Sequence, residues 1–197
     1  MIEAVINNNL ENGETIMTED DLFNYEDLIS ELAIIRSDEL ISNSDVGHAK
    51  ILIRHLFKFA KQKIYIFSSK LNENIYDDSS VLSEIENFVS KRNGNIEILL
   101  QEPTKFESTR NIANLLDKYS NNIHVKSVSN NKDKAITQHF VVNDTNGFRF
   151  CNDKQKPSAI ASFNQKNTAT NLSEQFDILF NRARLFKTQS PEMLAES

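Results

Sequence analysis

Apolar residues recur at helical spacing across 22–42, where Tyr25, Leu28, Ile29, Leu32 and Ile35, with Leu40 beyond them, share a face and acidic residues gather in the first turn. One amphipathic helix is predicted there. Ser44 offers an N-cap for a second helix over 46–62, with Ala49, Leu52, Ile53, Leu56, Phe59 and Ala60 inward. The unbroken apolar run 64–67 predicts a strand covered on both faces. After a loop rich in Asn and Asp, Val81, Leu82, Ile85, Phe88 and Val89 predict a helix closed at Asn93-Gly94. A strand over 96–100 follows, ended by Pro103, and Thr104 with Glu107 forms a capping box for a helix over 105–119 that buries Ile112, Leu115, Leu116 and Tyr119. The run 123–128 is a third strand, and 129–134 is polar enough to be a loop. Ahead of all this, 2–6 and 14–17 read as short strands or irregular chain.

The segment 138–150 organises the rest. Alternation puts Thr137, His139 and Val141 on one face and Phe140 and Val142 on the other, while Asn146-Gly147 supplies a hairpin turn leading into Phe148-Arg149-Phe150. A strand over 159–163 and a long helix over 168–187, with Ala169, Leu172, Phe176, Leu179, Phe180 and Ala183 inward, complete the body. Helices alternating with strands imply crossovers, and so a mainly parallel, mixed α/β sheet flanked by helices. Three parts are expected: an acidic N-terminal helical arm over 1–45, a body over 46–187 and a frayed tail over 188–197.

Charge sharpens that division. The net charge of -6 conceals an arm with 12 acidic residues against the single basic Arg36, a charge of -11, and a remainder of +5. Lys50, Arg54, Lys58 and Lys61 run along the outer side of the second helix, and with Arg149, read as facing outward, they are the anion-binding candidates. Either the arm is a solvated face or it masks that stripe. The lone Cys151 reads as a small buried residue, and with scattered His48, His55, His124 and His139 it offers no metal-ligand spacing. No metal or cofactor is expected, and no apolar run approaches a membrane span. A reducing, cytoplasmic setting follows most simply.

The succession 63–69, 95–100, 123–125 and 139–144, with Ser162-Phe163-Asn164 and then Asn171 and Glu174, resembles a phospholipase D-like domain over about 46–186. Within that superfamily it is similar to an uncharacterised bacterial family carrying a degenerate, non-catalytic version. The resemblance implies a layered sheet and a site in which His attacks phosphorus, Lys two residues later holds the phosphate, and Asp follows, with a second copy of the set supplying the acid. Here the set is incomplete in either register. With His139 as nucleophile, Val141 stands at the Lys position and Asn146 at the Asp position; with Asp144 fixing the register, His139 takes the Lys position and Thr137 the nucleophile's. His139, Asp144, Asn164 and Glu174 are the residual catalytic candidates.

Two functions fit. One is a non-enzymatic interaction module that acts through protein–protein contacts, by self-association as a homodimer or within a larger complex. The other is a weak phosphodiesterase or nuclease, or a nucleic-acid-binding protein, with a site built across a homodimer.

Overall fold

The computed structural model describes residues 19–103, 110–153 and 158–186. One eight-stranded sheet runs in the order β1 (Ile41–Asn43), β7 (Ala159–Ser162), β6 (Phe148–Cys151), β5 (His139–Asn143), β2 (Lys63–Ser68), β3 (Asn95–Leu100), β4 (Ile123–Ser127) and β8 (Arg184–Leu185). The pairs β2–β3 and β3–β4 are parallel, joined by the expected helical crossovers, whereas the other five pairings are antiparallel. The layered α/β class stands, but the sheet is mixed and mostly antiparallel rather than mainly parallel. The hairpin and the two edge strands β1 and β8, absent from the expected order, account for the difference.

Strand alternation sends one set of side chains to each face. Ile64, Ile66, Ile96, Ile98, Ile123 and Val141 meet α1 (Glu19–Ile34), α2 (Val46–Phe59), α3 (Glu73–Tyr76), α4 (Ser79–Lys91) and α5 (Arg110–Lys118). Phe67, Leu99, Phe140, Val142 and Phe148 meet α7 (Lys166–Asn181) on the other face. Phe57, Phe67, Phe88, Phe140, Phe148 and Phe176 are fully buried. Each contributes about 1.5–3 kcal/mol by leaving water.

Several local expectations change. The first helix stops at Ile34 because Arg36 adopts a left-handed conformation, φ 53°, and 41–43 then joins the sheet as β1. Leu28, Ile35 and Leu40, expected inward, are exposed, and Ile29 and Ala33 bear the packing against α2. The arm is therefore built into the fold on both sides of that turn. The cap of α2 is Asp45, whose carboxylate accepts the His48 N–H, in place of Ser44. That helix buries Ile51, His55 and Phe57 as well as Ala49, Leu52, Ile53 and Leu56 of its forecast face, with Phe59 half-buried, since α1 and α4 cover it from two sides. The 129–134 loop contains the short α6 (Asn131–Lys134), whose buried Asp133 carboxylate pairs with Arg182. In the hairpin only Asn146 takes a positive φ, 69°. Gly147 is needed for room, because a Cβ there would stand 2.9 Å from Leu56 Cδ2. The segments 2–6 and 14–17, the capping box Thr104/Glu107 and the tail 188–197 lie outside the described residues.

Candidate functional site

His139 opens β5 directly across from Cys151 on β6, and Val141 stands across from Arg149. Alternation turns all four toward α2 and α3, where they line a cleft of about 160 Å³ at the carboxyl end of β2. Ser68, Ser69, Lys70, Asn72 and Tyr76 complete its polar lining, and Val46, Ala49, Ile53 and Ile66 its apolar wall. No Asp or Glu is among the described residues that line it. Lys70 and Arg149 are the basic side chains among the described residues that line it.

His139 is held by the chain itself. The Ser69 N–H donates to its Nε2 at 2.8 Å, which makes that nitrogen an acceptor and places any ring proton of the neutral form on Nδ1. Phe67 packs edge-on to the ring, with centroids 6.3 Å apart. The Ser69 hydroxyl donates to Glu102 at 2.8 Å, anchoring the loop that carries the donor.

Arg149 does not face outward: it is 9% exposed. Its place opposite Val141 on the helix-covered side of the hairpin decides this. Nε donates to Asn43 Oδ1 at 3.1 Å. Burial pulls the guanidinium below its usual value, opposed by Tyr76, Cys151 and Tyr25 around it. The same burial raises the phenol of Tyr76. Cys151 is buried as expected, and its thiol donates to the Asp153 carbonyl at 3.0 Å.

The remaining candidates lie elsewhere. Asp144 leaves the sheet and its two carboxylate oxygens accept the N–H groups of Lys61 and Gln62 at 2.9 and 2.7 Å, so it secures the turn from α2 into β2. Asn164 is exposed and accepts from the Asn146 amide at 3.3 Å. Glu174 sits on α7, across the sheet from His139, beside Ile136, Ile178 and Arg182. On α2, Lys50 is paired with Asp78 at 3.0 Å and Arg54 with Glu26. Lys58 lies over the Phe59 ring and the Lys61 side chain is exposed. The structure thus brings His139 and Arg149 into one cleft and leaves Asp144, Asn164, Glu174 and the α2 stripe outside it.

Sequence reasoning missed Ser69, Lys70, Tyr76 and Asn43. Ser68-Ser69-Lys70 directly after an apolar strand carried a signal, since ligands of open α/β sheets bind beyond the carboxyl ends of strands. Asn43 had none, because it reaches Arg149 only through the edge pairing of β1 with β7. No group of His, Cys, Asp and Glu among the described residues could hold a metal ion. No described helix is long and apolar enough to cross a membrane.

Residues 46–188 match the family described as Domain of unknown function (DUF7931). The chain belongs to this family. Comparison with curated proteins gave no match. Among solved structures, the DUF7931 chain is similar to Nuc of Salmonella typhimurium, a phospholipase D family member, at 16% identity and a TM-score of 0.54, over 76% of this chain and 100% of that one. NucT from Helicobacter pylori gives 13% identity and a TM-score of 0.54, over 75% and 100%. TrmBL2, an archaeal chromatin protein with a novel mode of DNA binding, gives 11% identity and a TM-score of 0.54, over 85% of this chain and 63% of that one. At these identities the shared property is the fold, which is phospholipase D-like.

Proposed function

We propose that this DUF7931 chain is a non-enzymatic interaction module, in which a phospholipase D-like cleft holds an anionic group without breaking it. One observation carries the reading: the Nε2 lone pair of His139, which would have to attack phosphorus, is occupied by the Ser69 N–H at 2.8 Å. Its surroundings agree. Two residues on stands Val141, which is 4% exposed and brings no charge. With Asp144 fixing the register, Thr137 would be the nucleophile, and it is exposed at the foot of β5. Lys70, exposed at the lip of the cleft, supplies a cation to receive an anion, with the buried Arg149 behind it. A single buried Cys151 suits a reducing, cytoplasmic setting.

The test pairs two measurements on the full chain. Bis(p-nitrophenyl) phosphate should release no nitrophenolate above background, and inorganic pyrophosphate should bind by calorimetry with a salt-dependent affinity. Turnover that disappears in His139→Ala would overturn the reading in favour of a weak phosphodiesterase. Nucleic acid, a partner that TrmBL2 makes worth testing, would register as salt-sensitive anisotropy of a labelled oligonucleotide.

Protein contact is the second part of the proposal, and a separate observation favours it. Ile34, Ile35 and Leu40, at 65, 64 and 63% exposed, flank the turn into edge strand β1. Exposed aliphatic side chains beside the strand that ends the sheet among the described residues suit pairing with a second copy. Sedimentation equilibrium should give twice the 22.6 kDa chain mass. A monomer at high concentration, or a dimer untouched by Ile35→Lys with Leu40→Lys, removes this part.

A further inference from the structure

One buried polar group of the His139 cleft is left without a hydrogen bond. Tyr76, the last residue of α3, lines the cleft and is 5% exposed, and its hydroxyl has no hydrogen-bond partner among the described residues. Burial raises its phenol above the ordinary value, so the group is an O–H donor throughout the working pH range. It lies near enough to Arg149 for the guanidinium to act on it, which turns the oxygen toward the buried cation of the same cleft. A buried hydroxyl is costly to leave unpaired, and a ligand or a water ordinarily meets it.

The other donors of the β2 loop are already engaged. The Ser68 hydroxyl donates to the Lys70 carbonyl, the Ser69 hydroxyl to Glu102 and the Ser69 N–H to His139. Lys70 differs: its side chain is exposed at the lip and has no carboxylate partner among the described ion pairs. The cleft thus offers an ammonium at its mouth and an O–H within, and no acidic side chain among the described lining opposes an anion. Its volume of about 160 Å³ is half the lower end of the roughly 300–1,000 Å³ that encloses a whole small molecule. One head group fits, where a chain that enters and leaves does not.

Phosphate chemistry separates two kinds of ester here. A monoester carries about -1.5 to -2 charges at neutral pH and three terminal oxygens, enough to meet Lys70 and Tyr76 together while its single substituent points out to solvent. A diester has about one charge and two free oxygens, and its second substituent has to be housed inside. We infer that the His139 cleft binds a terminal phosphate monoester in preference to a diester, with Lys70 paired to its charge and the Tyr76 hydroxyl donating to a phosphoryl oxygen. This rests on the anion-binding reading of the cleft and makes Tyr76 the residue that selects the ligand.

Calorimetric titration of the full chain with methyl phosphate and dimethyl phosphate, which differ by one methyl group, reads the preference. Methyl phosphate should bind about tenfold more tightly, and Tyr76→Phe should weaken it about tenfold, the size of one hydrogen bond to a charged group. The urea midpoint of that variant should be no lower than wild type, because the lost hydroxyl holds no hydrogen bond within the described fold. Equal affinity for the two esters overturns the inference, as does a Tyr76→Phe protein that binds methyl phosphate like wild type. Failure of both methyl phosphate and inorganic pyrophosphate to bind brings down the anion-binding reading as well, whereas pyrophosphate binding without a preference between the esters brings down the selection alone. An oligonucleotide with and without a 5′-phosphate then finds the source of the monoester. Displacement of methyl phosphate by the phosphorylated strand alone assigns the cleft to nucleic-acid ends, displacement by neither assigns it to a free phosphate ester, and displacement by both overturns the preference.

Discussion

Asn43 on β1 accepts a hydrogen bond of 3.1 Å at Oδ1 from Nε of Arg149 on β6. It joins residues 106 positions apart and ties the acidic N-terminal region to the cleft. Asn43→Ala removes an acceptor from a buried cation, and the expected loss is about 1.5–3 kcal/mol, the range for hydrogen bonds to charged groups. Urea denaturation reads it directly. A midpoint unchanged from wild type would show that Arg149 does not depend on β1.

Gly94 marks a second point of close packing. Its N–H caps α4 by donating to the Phe88 carbonyl at 2.9 Å, and a Cβ there would stand 2.3 Å from Cζ of the Phe88 ring. Phe88 is fully buried and meets Phe57 edge-on at 6.1 Å, so the ring has nowhere to go. Gly94→Ala should therefore destabilise by about 1–3 kcal/mol through overpacking. Thermal unfolding that matches wild type would contradict it.

These two sites also show what the sequence could disclose. The Asn93-Gly94 stop, the apolar strand 64–67 and the inward residues of α7 follow from local chemistry, because spacing and turn residues act within a few positions of themselves. The face of the hairpin bearing His139 was legible for the same reason. Arg149 was misread because its burial depends on α2, α3 and β1 converging on β6, none of which is near it in the chain. The edge strands β1 and β8 span three and two residues, too few for a period to register. The left-handed Arg36 that ends α1 is a tertiary outcome, since its guanidinium reaches the Thr145 carbonyl at 2.8 Å, 109 residues away.

Stability should respond to pH near neutrality through two histidines packed against α1. Burial lowers the pKa of His48, with Asp45 opposing, and burial lowers that of His55 despite its 2.8 Å contact with Glu26. A histidine whose folded pKa lies below its unfolded value of 6.5 binds more protons when unfolded. Its contribution is complete above that value and is lost as pH falls through it toward the folded pKa. The unfolding free energy should decline between pH 7 and 5, with a slope of at most about 1.4 kcal/mol per pH unit for each group. A flat profile in that window would exclude the effect.

A second acid limb belongs to Asp78. Burial pushes its carboxyl up, but the Ser80 hydroxyl and N–H, with Lys50 at 3.0 Å, hold it at about 2 against an ordinary 3.8. The sign is that of a depressed carboxylate: the stabilisation is present above pH 4 and lost as pH falls toward 2. Asp78→Asn should flatten that limb while keeping the α4 cap, since an Asn side-chain oxygen accepts the Ser80 N–H as the Asp carboxylate does. If the variant keeps the wild-type profile from pH 4 to 2, another group carries the transition.

Asp144 and Lys70 should separate fold from function. In the phospholipase D-like motif, the Asp after the active strand invites a catalytic reading, yet here Asp144 spans two backbone N–H groups, of Lys61 and Gln62, at 2.9 and 2.7 Å. Asp144→Ala leaves both donors to water and should lower stability by about 1–3 kcal/mol. The folded variant should bind inorganic pyrophosphate as wild type does, because the carboxylate lines no part of the cleft. Lys70→Ala should do the reverse. Lys70 is exposed, with no carboxylate partner among the described ion pairs, so its loss should leave the urea midpoint in place while weakening pyrophosphate binding about two- to tenfold. Denaturation and calorimetry on both variants form a crossed design. An Asp144→Ala protein of unchanged stability and lost affinity would place the ligand at the turn between α2 and β2 instead of in the His139 cleft.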